Sequence, residues 1–171
     1  MNFSPIFPAG QLYNNMPSEQ SFQELQELFQ RIANAETDDF IQLAKLAGLN
    51  PTEDFSGADL SEVDLRSAML AKANFINTNL FRANLINANL EEARLIGAYL
   101  HSAMLTGAKL DYAKLINANL AHTNLVGATL SSADLTRANL TTADLSHADL
   151  RRANLTAAIT RGACLCEATL S

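Results

Sequence analysis

The chain has 171 residues, enough for one domain with its own core; 48% are hydrophobic, only 6% are aromatic, and Trp is absent. Its apolar content is therefore aliphatic, mostly Leu and Ala, which suggests a narrow, regular interior. A net charge of −6 disfavours nucleic-acid binding, which needs a basic face to neutralise phosphates.

Residues 1–20 carry Pro5, Pro8 and Pro17 among Asn, Gly and Ser, and read as an irregular tail. The spacing predicts a helical cap over 21–50. Ser21 with Glu24 is a capping-box signal, and Phe22, Leu25, Leu28, Phe29 and Ile32 follow at helical spacing. A second helix is expected from Thr37, with Asp38 and Asp39 in its first turn, ending at Gly48 before Pro51. Residues 1–50 hold six acids against two bases, so most of the net charge lies here. The N-terminus has no basic start followed by an apolar run, and no segment reaches the ~18 apolar residues of a membrane span. Two cysteines, Cys164 and Cys166, are too few for a disulfide framework and fit a reducing compartment. The expectation is a cytoplasmic protein with no membrane partner.

From residue 53 to 171 one pattern repeats every five residues. Of 24 central positions, 21 are Leu, two are Phe (Phe55 and Phe75), and Thr160 is the exception. Two residues before each centre stands Ala in 20 of 24 cases, the others being Glu53, Val63, Thr78 and Thr123. Between the two, 14 of 24 positions are Asn or Asp, as in Ala83-Asn84-Leu85. On an α-helix a five-residue step advances about 500°, so the Leu side chains would spiral around every face. On a strand an odd step would alternate them between faces. The chain must instead turn a corner in each repeat, sending every Leu and Ala to one axis. Stacked coils then bury a core that no single repeat buries alone. Asn and Asp suit the corners because their side chains bond nearby backbone.

The motif A-[DN]-L-x-x resembles the pentapeptide-repeat family. The resemblance implies an all-β solenoid, a right-handed quadrilateral β-helix with four repeats per coil. Twenty-four repeats then make about six coils behind the helical cap, a rod roughly 29 Å long at the ~4.8 Å spacing of stacked strands. An open terminal coil containing Leu155, Leu165 and Leu170 suggests end-to-end homodimerisation.

A filled solenoid encloses no pocket, so no catalytic residue, cofactor or metal is expected and the chain reads as no enzyme. His101, His122 and His147 read as separate surface histidines, with His101 and His122 about a coil apart on one face. Cys164 and Cys166 flank Leu165 and point outward. As a redox pair they are disfavoured by adjacent-but-one geometry, and as a metal site by the absence of further ligands. Glu91-Glu92 reads as a solvated acidic pair.

Departures from the repeat say more. Arg94, Tyr99, Met104, Lys109 and Lys114 replace Asn or Asp in five consecutive repeats. Ile76, Ile96 and Ile116 follow their centres at twenty-residue intervals, so the fourfold register stacks them as a ladder, with Arg94 and Lys114 on the same face. These eight residues are the candidate surface for a protein partner bearing an apolar anchor and an acidic group. The plain alternative is an Ile ladder of good β-propensity, or one covered by the N-terminal tail. The leading function is a non-catalytic protein-interaction or scaffolding module. The resemblance supports this, since members of the pentapeptide-repeat family abound in cyanobacteria, mostly with unassigned roles, including regulation of cell differentiation. The resemblance also implies an alternative, since some members imitate duplex DNA to bind DNA gyrase and protect it from quinolones. Those are acidic rods, often with a projecting loop and a C-terminal dimerisation helix, whereas residues 51–171 hold twelve acids against ten bases, with neither feature. A metal- or redox-active protein is the third reading.

Overall fold

The computed structural model describes Asn50 and residues 55–170. The expected tail, the two cap helices and the start of the first repeat lie outside these residues. No helix among the described residues is long and apolar enough to cross a membrane.

The chain runs as stacked coils in which every residue before a centre pairs in parallel with the residue twenty positions later, from Asp59 with Asn79 to Asp149 with Thr169. Twenty residues per turn is the fourfold count the resemblance implies. The rungs are single residues separated by corners, so four narrow ladders replace long strands. The first face carries Asn74, Arg94, Lys114, Asp134 and Asn154, and the second runs from Asp59 through Tyr99 to Ile159. The third runs from Asp64 through Met104 to Cys164, and the fourth from Met69 through Lys109 to Thr169.

The five backbone amides of a repeat account for this shape. The centre donates to the next coil (Leu60 N to Asn79 O, 2.7 Å), and so does the second residue after it (Glu62 N to Phe81 O, 2.8 Å). The residue before the centre donates to the preceding coil (Asn79 N to Ala58 O, 2.9 Å). The small residue closes a turn on the preceding centre (Ala58 N to Phe55 O, 3.1 Å). The amide just after the centre has no backbone partner, and there the Asn or Asp acts. All thirteen described Asn and Asp side chains of this register accept that amide on Oδ1, from Ser61 on Asp59 to Thr156 on Asn154.

Each corner also forces the second residue after the centre to positive φ. This holds at every corner from Gly57 to Glu167, eighteen of them non-glycine. The geometry is that of a type II turn, which places a left-handed residue at its third position.

Leu and Ala fill the axis. Every centre from Phe55 to Leu150 is at most 2% exposed, and Phe55 stacks on Phe75 with ring centroids 5.5 Å apart. Burying each Leu contributes about 1.5–3 kcal/mol. The two Thr residues at Ala positions stay buried by bonding backbone. Thr78 Oγ1 donates to Phe55 O at 2.5 Å, and Thr123 Oγ1 lies 2.6 Å from Leu120 O and 3.1 Å from Leu100 O.

Candidate functional site

The five residues that replace Asn or Asp encircle the rod. Arg94 and Lys114 are bridged on the first face, while Tyr99, Met104 and Lys109 stand on the second, third and fourth. All five are exposed, Tyr99 by 57% and Met104 by 41%. Each replacement removes the acceptor for the following corner amide, so Ile96, His101, Thr106, Asp111 and Ile116 lack the bond that the repeats with Asn or Asp keep. None of Arg94, Lys109 and Lys114 has an ion-pair partner among the described residues. Arg66, Lys72, Arg82 and Arg151 each pair with a carboxylate at 3.7 Å or less.

Ile76, Ile96 and Ile116 occupy one column at the corner between the first and second faces, and all three are half-buried. Thr136 and Thr156 continue that column. The structure thus brings Arg94, Lys114, the three Ile residues and Tyr99 to two adjoining faces and their shared corner. Met104 and Lys109 lie on the other two faces, which splits the candidate set into a ladder patch and the far half of a belt.

Two clusters were not legible as such. At the corner after the second face, Phe81 stacks on His101 (5.7 Å, 5°), His101 meets His122 edge-on (5.0 Å, 80°), and Arg82 lies 5.0 Å from the Phe81 ring. His101 and His122 are therefore in contact rather than separate, and His122 Nδ1 lies 2.7 Å from Thr142 Oγ1. His147 is on another corner, 3.1 Å from Glu167. At the corner after the fourth face, Glu91, Glu92, Asp111, Tyr112, Asp149 and Arg151 line a shallow groove. There Asp111 accepts the Ser131 amide (3.0 Å) and the Thr129 hydroxyl (2.5 Å), replacing the acceptor that Thr129 removes from its own repeat. Met69, 70% exposed on the fourth face, is a further departure that its position in the repeat could have flagged. Among the described residues no group of three His, Cys, Asp or Glu side chains could hold a metal ion.

Cys164 and Cys166 are free thiols whose sulfurs lie 2.7 Å apart. The corner between them brings the side chains together.

Comparison with known proteins identifies the repeats. The family model described as pentapeptide repeats matches in eight copies over residues 54–85, 83–120, 113–151 and 133–171. No curated protein sequence matches the chain. Among solved structures, the pentapeptide repeat protein Rfr23 from the cyanobacterium Cyanothece 51142 is 37% identical. The match covers 54% of this chain and 64% of that one, with a TM-score of 0.53. The protein alr5209 from Nostoc Pcc 7120 is 44% identical over 44% of this chain and 62% of that one, with a TM-score of 0.44. HetL from Nostoc sp. strain PCC 7120, a pentapeptide repeat protein involved in heterocyst differentiation regulation, is 27% identical. That match covers 67% of this chain and 84% of HetL, with a TM-score of 0.25. The chain spans a little under two thirds of the length of Rfr23 and of alr5209. Proteins of this kind fold as right-handed quadrilateral β-helices and are generally non-catalytic. With the family's repeat matched over more than half its length and its coil closing every twenty residues, the chain belongs to the pentapeptide repeat family.

Proposed function

We propose that this chain is a non-catalytic interaction module. Its partner is a protein that lays an apolar anchor along Ile76, Ile96 and Ile116 and sets acidic groups against Arg94 and Lys114, with Tyr99 at the rim. The observation that carries this reading is the belt. Five consecutive repeats give up a corner hydrogen bond and present a large exposed side chain instead, three of them cations with no ion-pair partner among the described residues. Exposed like charges one coil apart do nothing for the fold, and an opposing acidic surface would relieve them. Residues 51–171 hold nearly equal numbers of acids and bases, and the belt itself is basic. That balance favours a protein partner over mimicry of duplex DNA.

The test is capture of partners from lysate by immobilised protein, beside a variant with Ile76, Ile96 and Ile116 changed to Thr. Thr already occupies the same column at 136 and 156, so the variant keeps the fold. A partner retained by the parent chain and lost by the variant supports the reading. Retention by both moves the site off the ladder, and retention by neither rejects it.

The surface also supports contact between two copies. In the coil 151–170, Ile159 is 54% exposed, Leu165 37% and Leu170 55%. A second copy stacked there would cover them and continue the ladders. A monomer mass at all concentrations in solution scattering would refute that contact.

A further inference from the structure

The corners of this solenoid hold side chains together in a way that matters for two residues near its far end. The residue before a centre and the residue after it both point outward, and the corner between them turns their side chains toward each other. Four of these pairs share a hydroxyl bond. Thr136 Oγ1 donates to Asp134 at 2.5 Å, Thr141 to Asn139 at 2.6 Å, Ser146 to Asp144 at 2.5 Å and Thr156 to Asn154 at 2.6 Å. Two more are guanidinium–carboxylate pairs, Arg66 with Asp64 and Arg151 with Asp149, each with contacts of 2.6 to 3.0 Å. Convergence is thus a property of the corner and not of any one chemistry.

At the corner after Leu165 the two converging positions are Cys164 and Cys166. Their sulfurs lie 2.7 Å apart, and either thiol can donate to the other. The backbone that carries them is pinned to the preceding coil. Cys164 N donates to Ala143 O at 2.9 Å, Cys164 O accepts from Leu145 N at 2.8 Å, and Cys166 O accepts from His147 N at 2.8 Å. The sulfurs meet because the frame places them there, which lowers the entropic cost of joining them. Both are reachable, since Cys164 is half-buried and Cys166 exposed.

The two thiols are not equivalent. Hydrogen bonding from Cys166, then contact with Ser146 Oγ (3.3 Å), holds the Cys164 thiol below its ordinary value, and Asp144 acts weakly in the opposite sense. Cys166 is pushed up by its hydrogen bond to Cys164 and by that group's charge. Ser146 Oγ adds a hydroxyl contact at the Cys164 sulfur, which suits Cys164 to the attacking role and the more exposed Cys166 to the resolving one.

We propose that Cys164 and Cys166 form a thiol–disulfide exchange site for low-molecular-weight disulfides. Cys164, as thiolate, attacks one sulfur of the incoming disulfide and expels the other half as a thiolate, which takes a proton from solvent. Cys166, losing its proton to solvent, then attacks the Cys164 sulfur of the mixed disulfide. The second half leaves as a thiolate and is protonated in turn. The protein dithiol is oxidised by two electrons, and one external disulfide is reduced to two thiols.

The test equilibrates the full chain with defined ratios of oxidised to reduced glutathione. Samples are quenched in acid, free thiols are labelled with N-ethylmaleimide, and the intact mass is read. The expected result is loss of both labels together to an internal disulfide, with no lasting mixed disulfide. Cys164→Ser and Cys166→Ser are each expected to stop at one bound glutathione. The same titration in guanidinium measures the contribution of the frame. The folded chain is expected to close at a glutathione ratio at least tenfold less oxidising than the unfolded chain needs. Persistent mixed disulfides on the parent chain, or thiols that stay reduced in excess oxidised glutathione, overturn the proposal. So does a folded chain no easier to oxidise than the unfolded one.

Discussion

Asp59, Asp64, Asp144 and Asp149 all hold their carboxyls below the ordinary value. The leading cause is the side chain two residues on, namely Ser61, Arg66, Ser146 and Arg151 in turn. A carboxyl whose folded value is depressed stabilises the fold above its unfolded value, about 3.9, and loses that contribution as pH falls through the folded value. The melting temperature is therefore expected to drop on going from pH 7 to pH 3. It should drop less in Asp144→Asn, whose amide oxygen still accepts the Ser146 N–H while carrying no charge. Equal drops in the two proteins would count against the assignment. Single residues also carry backbone strain. Thr142 is β-branched yet sits at φ 54°, where an L-residue costs roughly 1–2 kcal/mol. Thr142→Asn should raise the unfolding free energy by about 1 kcal/mol, since Asn tolerates that region and occupies it at 77, 87 and 117. Gly97→Ala should lower it by about 1 kcal/mol, because a side chain is strained at φ +66°. Urea titration reads both effects.

At the scale of the coil, an Asn or Asp before the centre closes the one amide that the ladders leave over, and the belt is the longest run of repeats without that closure. Returning Arg94, Tyr99, Met104, Lys109 and Lys114 to Asn should stabilise the chain by about 1 kcal/mol per position while abolishing partner capture. This is the trade expected where a surface is kept for binding at the expense of stability. Unchanged stability in the five-fold variant would show that solvent satisfies those amides equally well. Much of the element is legible in the residues. The five-residue step excludes helix and strand, Leu and Ala mark the axis, and Asn and Asp mark the corner. The positive φ is not legible, because its positions hold Gly57 and Asn77 but also Arg82, Tyr112, His122 and Thr142. The ladder imposes that conformation on whatever side chain arrives. The His101–His122 contact and the Cys164–Cys166 approach were hidden for a related reason. Both depend on how sharply a corner turns side chains toward each other, which the period alone does not fix. The candidate site was half legible: twenty-residue spacing identified the Ile column, but linear adjacency grouped Met104 and Lys109 with a patch from which the corners carry them away.

For the molecule as a whole, stability is a sum of coils and the interfaces between neighbours. Interior coils bond on both sides. In the coil 151–170 the amides of Leu155, Thr160 and Leu165, whose counterparts in earlier coils donate to the next turn, have no backbone acceptor among the described residues. Hydrogen exchange should therefore be fastest across 151–170 and slowest through 95–130, and uniform protection along the rod would contradict this. The twenty-residue return has one more consequence. A residue's face is set by its position modulo twenty, so length and surface are geared together. Inserting a single pentapeptide within the belt would leave every Leu on the axis while rotating all that follows by a quarter turn. Lys114 would leave the column of Arg94, and Ile116 that of Ile96. Inserting four pentapeptides would lengthen the rod by one storey and return each later residue to its own column. Lineages of such chains are thus free to drift in length in steps of five, but a pattern written across coils survives only edits that come in twenties.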